Sequence, residues 1–290
     1  MSDIDDETTR RDAAWFDLQY DNRRRVPEYA QHFARWRDAS AQARDRVDCH
    51  LDVPFTPDGA VTLDVFPAAV AGAPVLVFLH GGYWRSLDKA DFSFVAMPYV
   101  AAGAMVVVPN YSLCPSVTVD TIALQAAHAL AWVHRHAAHY GGDAVRCVVA
   151  GHSAGGHLAA MLLACDGRRL APDLPPRLTR RAVSISGLYD LAAIAAAPSL
   201  QVDLRLTPAI VARTSPARFA APAGARLASV VGALESDEFR RQNRLIRERW
   251  GAAAVPVCDE LPGRDHFTVL DDLVAAQTSL QRCVLQWLAD

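Results

Sequence analysis

Between residues 145 and 164 the apolar run VRCVVA stops at the turn GHSAG, and the chain continues at once as AGGHLAAMLLA, a small and aliphatic stretch with helical spacing. Few folds accept that order. A buried strand must end, the chain must reverse sharply within a few residues, and a helix must pack back on the sheet the strand belongs to. Gly151 and Gly155 remove side chains that would collide in so tight a turn, and Gly156 lets the helix approach its neighbour closely. Ser153, at the apex, is pushed outward at the end of the strand and is the candidate nucleophile. The N–H of Ala154 opens the helix, where the dipole and unpaired amides favour negative charge, so it is a candidate oxyanion donor.

The same logic extends along the chain. PVLVFLH, AMVVVPN, VRCVVAGHS, RAVSISG, RLASVVG and VPVCDEL are short apolar runs of the kind buried on both faces of a parallel sheet. Helical stretches are expected between them at roughly 88–102, 119–140, 154–166, 237–250 and 269–289. RVDCHLDVPF and VTLDVFPA alternate polar and apolar residues around Pro57, Asp58 and Gly59, which predicts an antiparallel strand pair ahead of the parallel ones. Ala13 to Ala43 shows helical spacing interrupted by Pro27, which predicts two amphipathic helices. The expected architecture is α/β: a mostly parallel, doubly wound sheet with antiparallel N-terminal strands and a small helical cap. Residues 1–45 are expected to form an N-terminal helical segment packing on the core, and 46–290 one domain in which the proline-rich 189–225 is a candidate cap insertion or else an irregular surface excursion.

Charge narrows the function classes. Twenty-nine Lys and Arg against 32 Asp and Glu give a formal charge of −3, which offers no electrostatic footprint for nucleic acid or an anionic membrane. A small-molecule substrate fits better. The opening MSDIDDETTRRD lacks the basic and apolar regions of a secretory signal, and no apolar run approaches a membrane span, so a cytoplasmic protein is expected. Cys49, Cys114, Cys147, Cys165, Cys258 and Cys283 show no CxxC spacing and read as reduced structural thiols. His134, His136 and His139, at offsets of two and five, do not share one helical face, so no metal site is expected there. Exposed apolar helix faces are compatible with a homodimer.

A serine needs a base, and the base needs an orienting group. HGGYW at 80–84 follows the strand PVLVFLH, where the glycines let backbone N–H groups turn toward a substrate carbonyl. On elbows of this kind the partners follow the serine in the order acid, then histidine. His266 is the late histidine that fits. His157 lies one helical turn after the serine and reads as a packing residue, His152 is poorly aimed at Ser153 Oγ, and His80 at its strand end reads as a brace for the loop. The acid should follow the strand RLASVVG, where GALESDEF offers Glu235 first and Asp237 as the alternative, with Glu238 in the next helix. Asp265 and Asp190 read as local turn residues.

HGGYW, GHSAGGHLA, SGLYDL, VGALESDEFRRQ and GRDHF together resemble the kynurenine formamidase (arylformamidase) branch of the α/β-hydrolases, related to the hormone-sensitive-lipase-like esterases. The resemblance runs from about Pro74 to the C-terminus. It is specific because HGG is followed by Tyr-Trp instead of a third glycine. It implies an α/β-hydrolase fold, oxyanion donors at Gly82 and Tyr83, a nucleophile at Ser153 and a base at His266. The family's acid, normally Asp in a VGxxDSxEF element, falls on Glu235, a departure that leaves the acid open between Glu235 and Asp237. The implied reaction is hydrolysis of N-formyl-L-kynurenine to formate and L-kynurenine, a scheme that needs no metal or organic cofactor. Tyr83 and Trp84 are candidate substrate-binding aromatics. A general short-acyl carboxylesterase would use the same residues, and a non-catalytic ligand-binding homologue is the contrasting class.

Overall fold

The structure, a computed structural model, describes residues 11–290; the first ten residues of the acidic opening lie outside the described residues. Eight strands form one sheet: β1 (His50–Pro54), β2 (Thr62–Phe66), β3 (Ala73–Leu79), β4 (Met105–Pro109), β5 (Gly142–His152), β6 (Arg181–Ile185), β7 (Arg226–Gly232) and β8 (Val257–Leu261). Their order across the sheet is β1-β2-β4-β3-β5-β6-β7-β8. The β1/β2 and β2/β4 pairs are antiparallel, and every pair from β4/β3 to β7/β8 is parallel. Each apolar run of the sequence has become one strand.

Period-two alternation within those runs divides the interior into two layers. Val75, Val77 and Leu79 of β3, with Val149 of β5, face one core, whereas Leu76, Phe78, Val148 and Ala150 face the other. The first layer is covered by α4 (Val119–His136), α5 (Ala154–Ala164) and α9 (Asp237–Ala254). The second is covered by α2 (Tyr29–Arg46), α3 (Ala96–Ala101) and α10 (Ser279–Ala289). Helices on both faces explain why the central strands carry almost no polar residues.

Several helices differ from their expected extents. Residues 88–102 form two 3-10 turns, Lys89–Asp91 and Ser93–Val95, before the short α3. The reason is local: Asp88 and Asp91 close a capping box that starts the first turn at Lys89, and Phe92, with φ −124° and ψ 8°, leaves the helical region after three residues. The stretch 269–289 is interrupted where Gln277 adopts φ 66° and Thr278 caps α10 by accepting from the N–H of Gln281. Residues 189–225 hold three short helices, α6 (Leu191–Ala195), α7 (Pro198–Leu204) and α8 (Pro208–Thr214), the last two each opening on a proline. Among the described residues no helix is long and apolar enough to cross a membrane, and all six cysteines are free thiols.

The N-terminal chain straddles the sheet. α1 (Ala13–Tyr20) places Phe16 and Tyr20 in the first core, and α2 places Trp36 in the second. Between them lies a single turn, Asn22–Arg25. α2 is held by polar contacts as well: Arg44 Nη1 donates to Ala90 O at 2.6 Å and Ser93 Oγ at 2.9 Å, and Ser40 Oγ accepts from Phe94 N. The crossing brings residues 20–23 over the C-terminal end of β5, beside Ser153.

Candidate active site

Ser153 directly follows β5 with φ 56° and ψ −115°, a backbone conformation that a non-glycine residue holds only when its surroundings force it, at a cost of about 1–3 kcal/mol. The surroundings are tight. A Cβ on Gly151 would meet Gly155 O at 2.1 Å, and one on Gly155 would meet Leu79 O at 2.0 Å. Ser153 N donates to Ile185 O at 2.7 Å and Ser153 O accepts from His157 N at 3.0 Å, so the apex is fixed to β6 on one side and to α5 on the other. Among the described residues the Ser153 hydroxyl itself makes no hydrogen bond, and it opens into a cavity of about 230 Å³ that His266 also lines.

His266 follows β8, buried to 4 % exposure, with its ring 4.7 Å from the His152 ring and 4.6 Å from that of Phe239. Its Nδ1 lies 2.6 Å from Glu235 Oε2. Glu235, also 4 % exposed, accepts at Oε1 from Ser186 Oγ at 2.5 Å and from Gly232 N at 2.8 Å. Three partners, His266 Nδ1, Ser186 Oγ and Gly232 N, therefore converge on one buried carboxyl group. The extra methylene of Glu over Asp is absorbed by a turn in which Glu235 N donates to Gly232 O. Asp237 does not reach the histidine: it starts α9, its side chain is 82 % exposed, and its nearest charge is Arg240 at 3.7 Å. Asp265 accepts from Phe267 N and Thr268 N and shapes the histidine's own turn.

His152 has a different task. Its Nε2 donates to His266 O at 2.8 Å, bracing the loop that carries the neighbouring ring. Burial first, and then the proximity of His266, hold its pKa well below the ordinary imidazole value, so it stays neutral. His157 donates Nε2–H to Thr214 O at 2.6 Å inside the core, and burial lowers its pKa to about 4. His80 stacks on Tyr111 at 4.2 Å and contacts Asn110 Oδ1 at 3.0 Å, which ties the start of the HGGYW loop to the end of β4.

Gly82 has φ 108°, and a Cβ there would strike Ser86 O at 2.1 Å. Tyr83 and Trp84 continue the reversal with φ 50° and 54°. Their side chains part company. Tyr83 lines the cavity, donating its hydroxyl to Tyr20 O at 2.8 Å and accepting from Asn22 Nδ2 at 3.3 Å. Trp84 does not line it: the indole is fully buried and packs edge-on against His157 at 4.9 Å, so the expectation that Trp84 contacts substrate is corrected. A large aromatic following a tight glycine turn is drawn into the core because the first layer lies directly beneath.

Two parts of the site escaped the sequence. Ser186, at the end of β6 with φ 53°, completes the environment of Glu235; its position at the carboxyl end of a parallel strand beside β5 was the available signal. The other is the wall supplied from the N-terminus. Tyr20 donates its hydroxyl to Glu238 Oε2 at 2.7 Å, Glu238 pairs with Arg241 at 2.7 Å, and Gln242 binds Tyr20 Oη and Asp190 O. That buried network fastens the end of α1 to the start of α9, three residues beyond Glu235.

Comparisons with known proteins follow this geometry. The family model BD-FAE matches residues 63–195. The chain is 29 % identical to a kynurenine formamidase of Danio rerio over 286 residues, covering 94 % of this chain and 95 % of that protein. A solved structure from Silicibacter sp. TM1040 superposes with TM-score 0.80 at 24 % identity, covering 94 % of this chain and 98 % of that one. The carboxylesterase EstE1, cloned from a metagenomic library, superposes with TM-score 0.67 at 20 % identity, covering 90 % and 93 %. Both structures share the fold described above.

Proposed function

We propose that this chain, an α/β-hydrolase and serine hydrolase of kynurenine-formamidase-like sequence, cleaves N-formyl-L-kynurenine to formate and L-kynurenine. The observation that carries the reading is the buried His266–Glu235 contact of 2.6 Å beside the strained Ser153 in one cavity. Glu235 fixes the proton on Nδ1, which leaves Nε2 as the base. In this scheme Ser153 Oγ attacks the formyl carbon while Nε2 takes its proton; the hydrogen bond between them closes when substrate arrives, as such bonds commonly tighten in the complex.

The oxyanion is received by N–H groups of Gly82, Tyr83 and Ala154, each worth about 3–4 kcal/mol in comparable sites. Collapse breaks the C–N bond, and imidazolium returns the proton to the departing aryl amine. Water then attacks the formyl ester, gives its proton to Nε2, and releases formate and the serine hydroxyl.

Size supports a small substrate. The cavity, about 230 Å³, lies below the range of roughly 300–1,000 Å³ usual for drug-sized ligands. Aromatic walls from Phe33, Trp36 and Phe267 suit a single aryl ring. We further assign the helices before residue 46 to the wall of this site and the segment 189–225 to its cap.

The reading is tested by incubating the protein with a fluorophosphonate and with N-formyl-L-kynurenine in parallel. Expected are one covalent adduct mapped by mass spectrometry to Ser153, and formate released in equal amount to L-kynurenine. Absence of the adduct, with no formate, would mark a binding protein instead of an enzyme.

A further inference from the structure

The cavity wall facing solvent carries opposite charges two residues apart, Asp21 and Arg23. The second arginine on the lining, Arg85, is engaged: its Nη1 lies 2.7 Å from Asp203 Oδ2 and 3.1 Å from Ser199 O. Arg23 is not. Its guanidinium sits 5.2 Å from the ring centre of Tyr29 and 5.8 Å from that of Phe33, and among the described residues no carboxylate pairs with it. Ring contacts of this kind hold the group in place while leaving its N–H donors available to an anion, and the planar fork matches a carboxylate. Asp21 accepts from Arg24 N at 3.0 Å through one oxygen.

We infer that Arg23 binds the carboxylate of the substrate, so that the site selects an aryl formamide bearing an α-amino acid, with the ammonium turned toward Asp21. The inference rests on the formamidase reading and extends it. The aryl ring lies against the cavity face made by Phe33, Trp36 and Phe267, which pack on one another with ring centres 5.4–6.1 Å apart, the formyl group points to Ser153, and the zwitterionic end reaches the mouth where Arg23 stands. A charged pair at a cavity mouth is partly screened, which limits the expected selectivity to about tenfold.

The experiment compares N-formyl-L-kynurenine with its methyl ester, which keeps the formamide and loses the carboxylate. In the unmodified protein kcat/KM should favour the acid by about tenfold. The ratio should fall to about one in Arg23→Ala and be partly retained in Arg23→Lys. A ratio that stays near ten in Arg23→Ala would overturn the assignment, as would a ratio near one in the unmodified protein.

Failure of the formamidase reading looks different: the unmodified protein would cleave p-nitrophenyl acetate well and both formamides poorly. Arg23 is then judged by inhibition of that ester cleavage. A Ki for L-kynurenine about tenfold below that of its methyl ester, with the difference lost in Arg23→Ala, would sustain carboxylate binding. Equal Ki values in the unmodified protein would end it.

Discussion

Ser153→Ala is expected to lower kcat for N-formyl-L-kynurenine by about 10⁴- to 10⁶-fold, the range in which losing the nucleophile leaves only binding and oxyanion stabilisation. The fold should be unaffected. The elbow is imposed by Gly151, Gly155 and the hydrogen bonds of the Ser153 backbone, all of which alanine keeps. The side-chain hydroxyl makes no hydrogen bond among the described residues, so its removal leaves no buried partner unsatisfied. Formate release and a thermal unfolding scan by circular dichroism on the same sample check both halves. A variant retaining a tenth of the activity would remove Ser153 from the reaction.

The second large effect is expected at Glu235. Glu235→Gln should lower kcat by about 10³- to 10⁴-fold, comparable to neutralising the orienting acid of other serine hydrolases. The reason lies in the three donors around the carboxylate, His266 Nδ1, Ser186 Oγ and Gly232 N. An amide has one acceptor oxygen. If it serves Gly232, the NH₂ faces His266 and shifts the imidazole to the tautomer with Nε2 protonated, which cannot act as base. If it serves His266, the NH₂ meets the fixed N–H of Gly232, and a buried unsatisfied donor costs about 1–3 kcal/mol of stability. Either arrangement is damaging, in activity or in the unfolding midpoint. Asp237→Asn should change kcat less than twofold, because that side chain is exposed and faces Arg240. Steady-state rates for the two variants decide between the carboxylates: a large loss in Asp237→Asn with a small one in Glu235→Gln would reverse the assignment.

The strands were legible because parallel strands covered on both faces are continuously apolar, and six such short runs alternate with stretches of helical spacing. The elbow was legible for a similar reason: three glycines within six residues between a strand and a helix answer to a steric demand that GHSAGG states directly. Chain order pointed to His266 as the candidate base and left the acid between Glu235 and Asp237, of which the structure brings Glu235 to the histidine. What could not be read was anything that depends on long-range side-chain direction. Trp84 enters the core while its neighbour Tyr83 lines the cavity, a difference set by two successive positive φ values that no periodicity encodes. The Tyr20–Glu238 bond joins residues 218 apart in sequence, and Ser186 meets Glu235 across two strands. His152 looked idle as the serine's neighbour, and its role as a brace for His266 O follows only from how β5 lies beside the last loop. Local helix breaks at 88–95 and 275–278 came from caps that compete with propensity over short distances.

As proposed, Ser153, His266 and Glu235 form an acyl-transfer site whose substrate is an aryl formamide. The most direct measurement is kcat/KM of the purified protein for N-formyl-L-kynurenine beside p-nitrophenyl acetate and p-nitrophenyl butyrate. A preference for the formamide of roughly a hundredfold or more is expected, near 2.7 kcal/mol of differential transition-state binding. Ester turnover equal to or better than that of the formamide would contradict it and make the protein a short-acyl carboxylesterase.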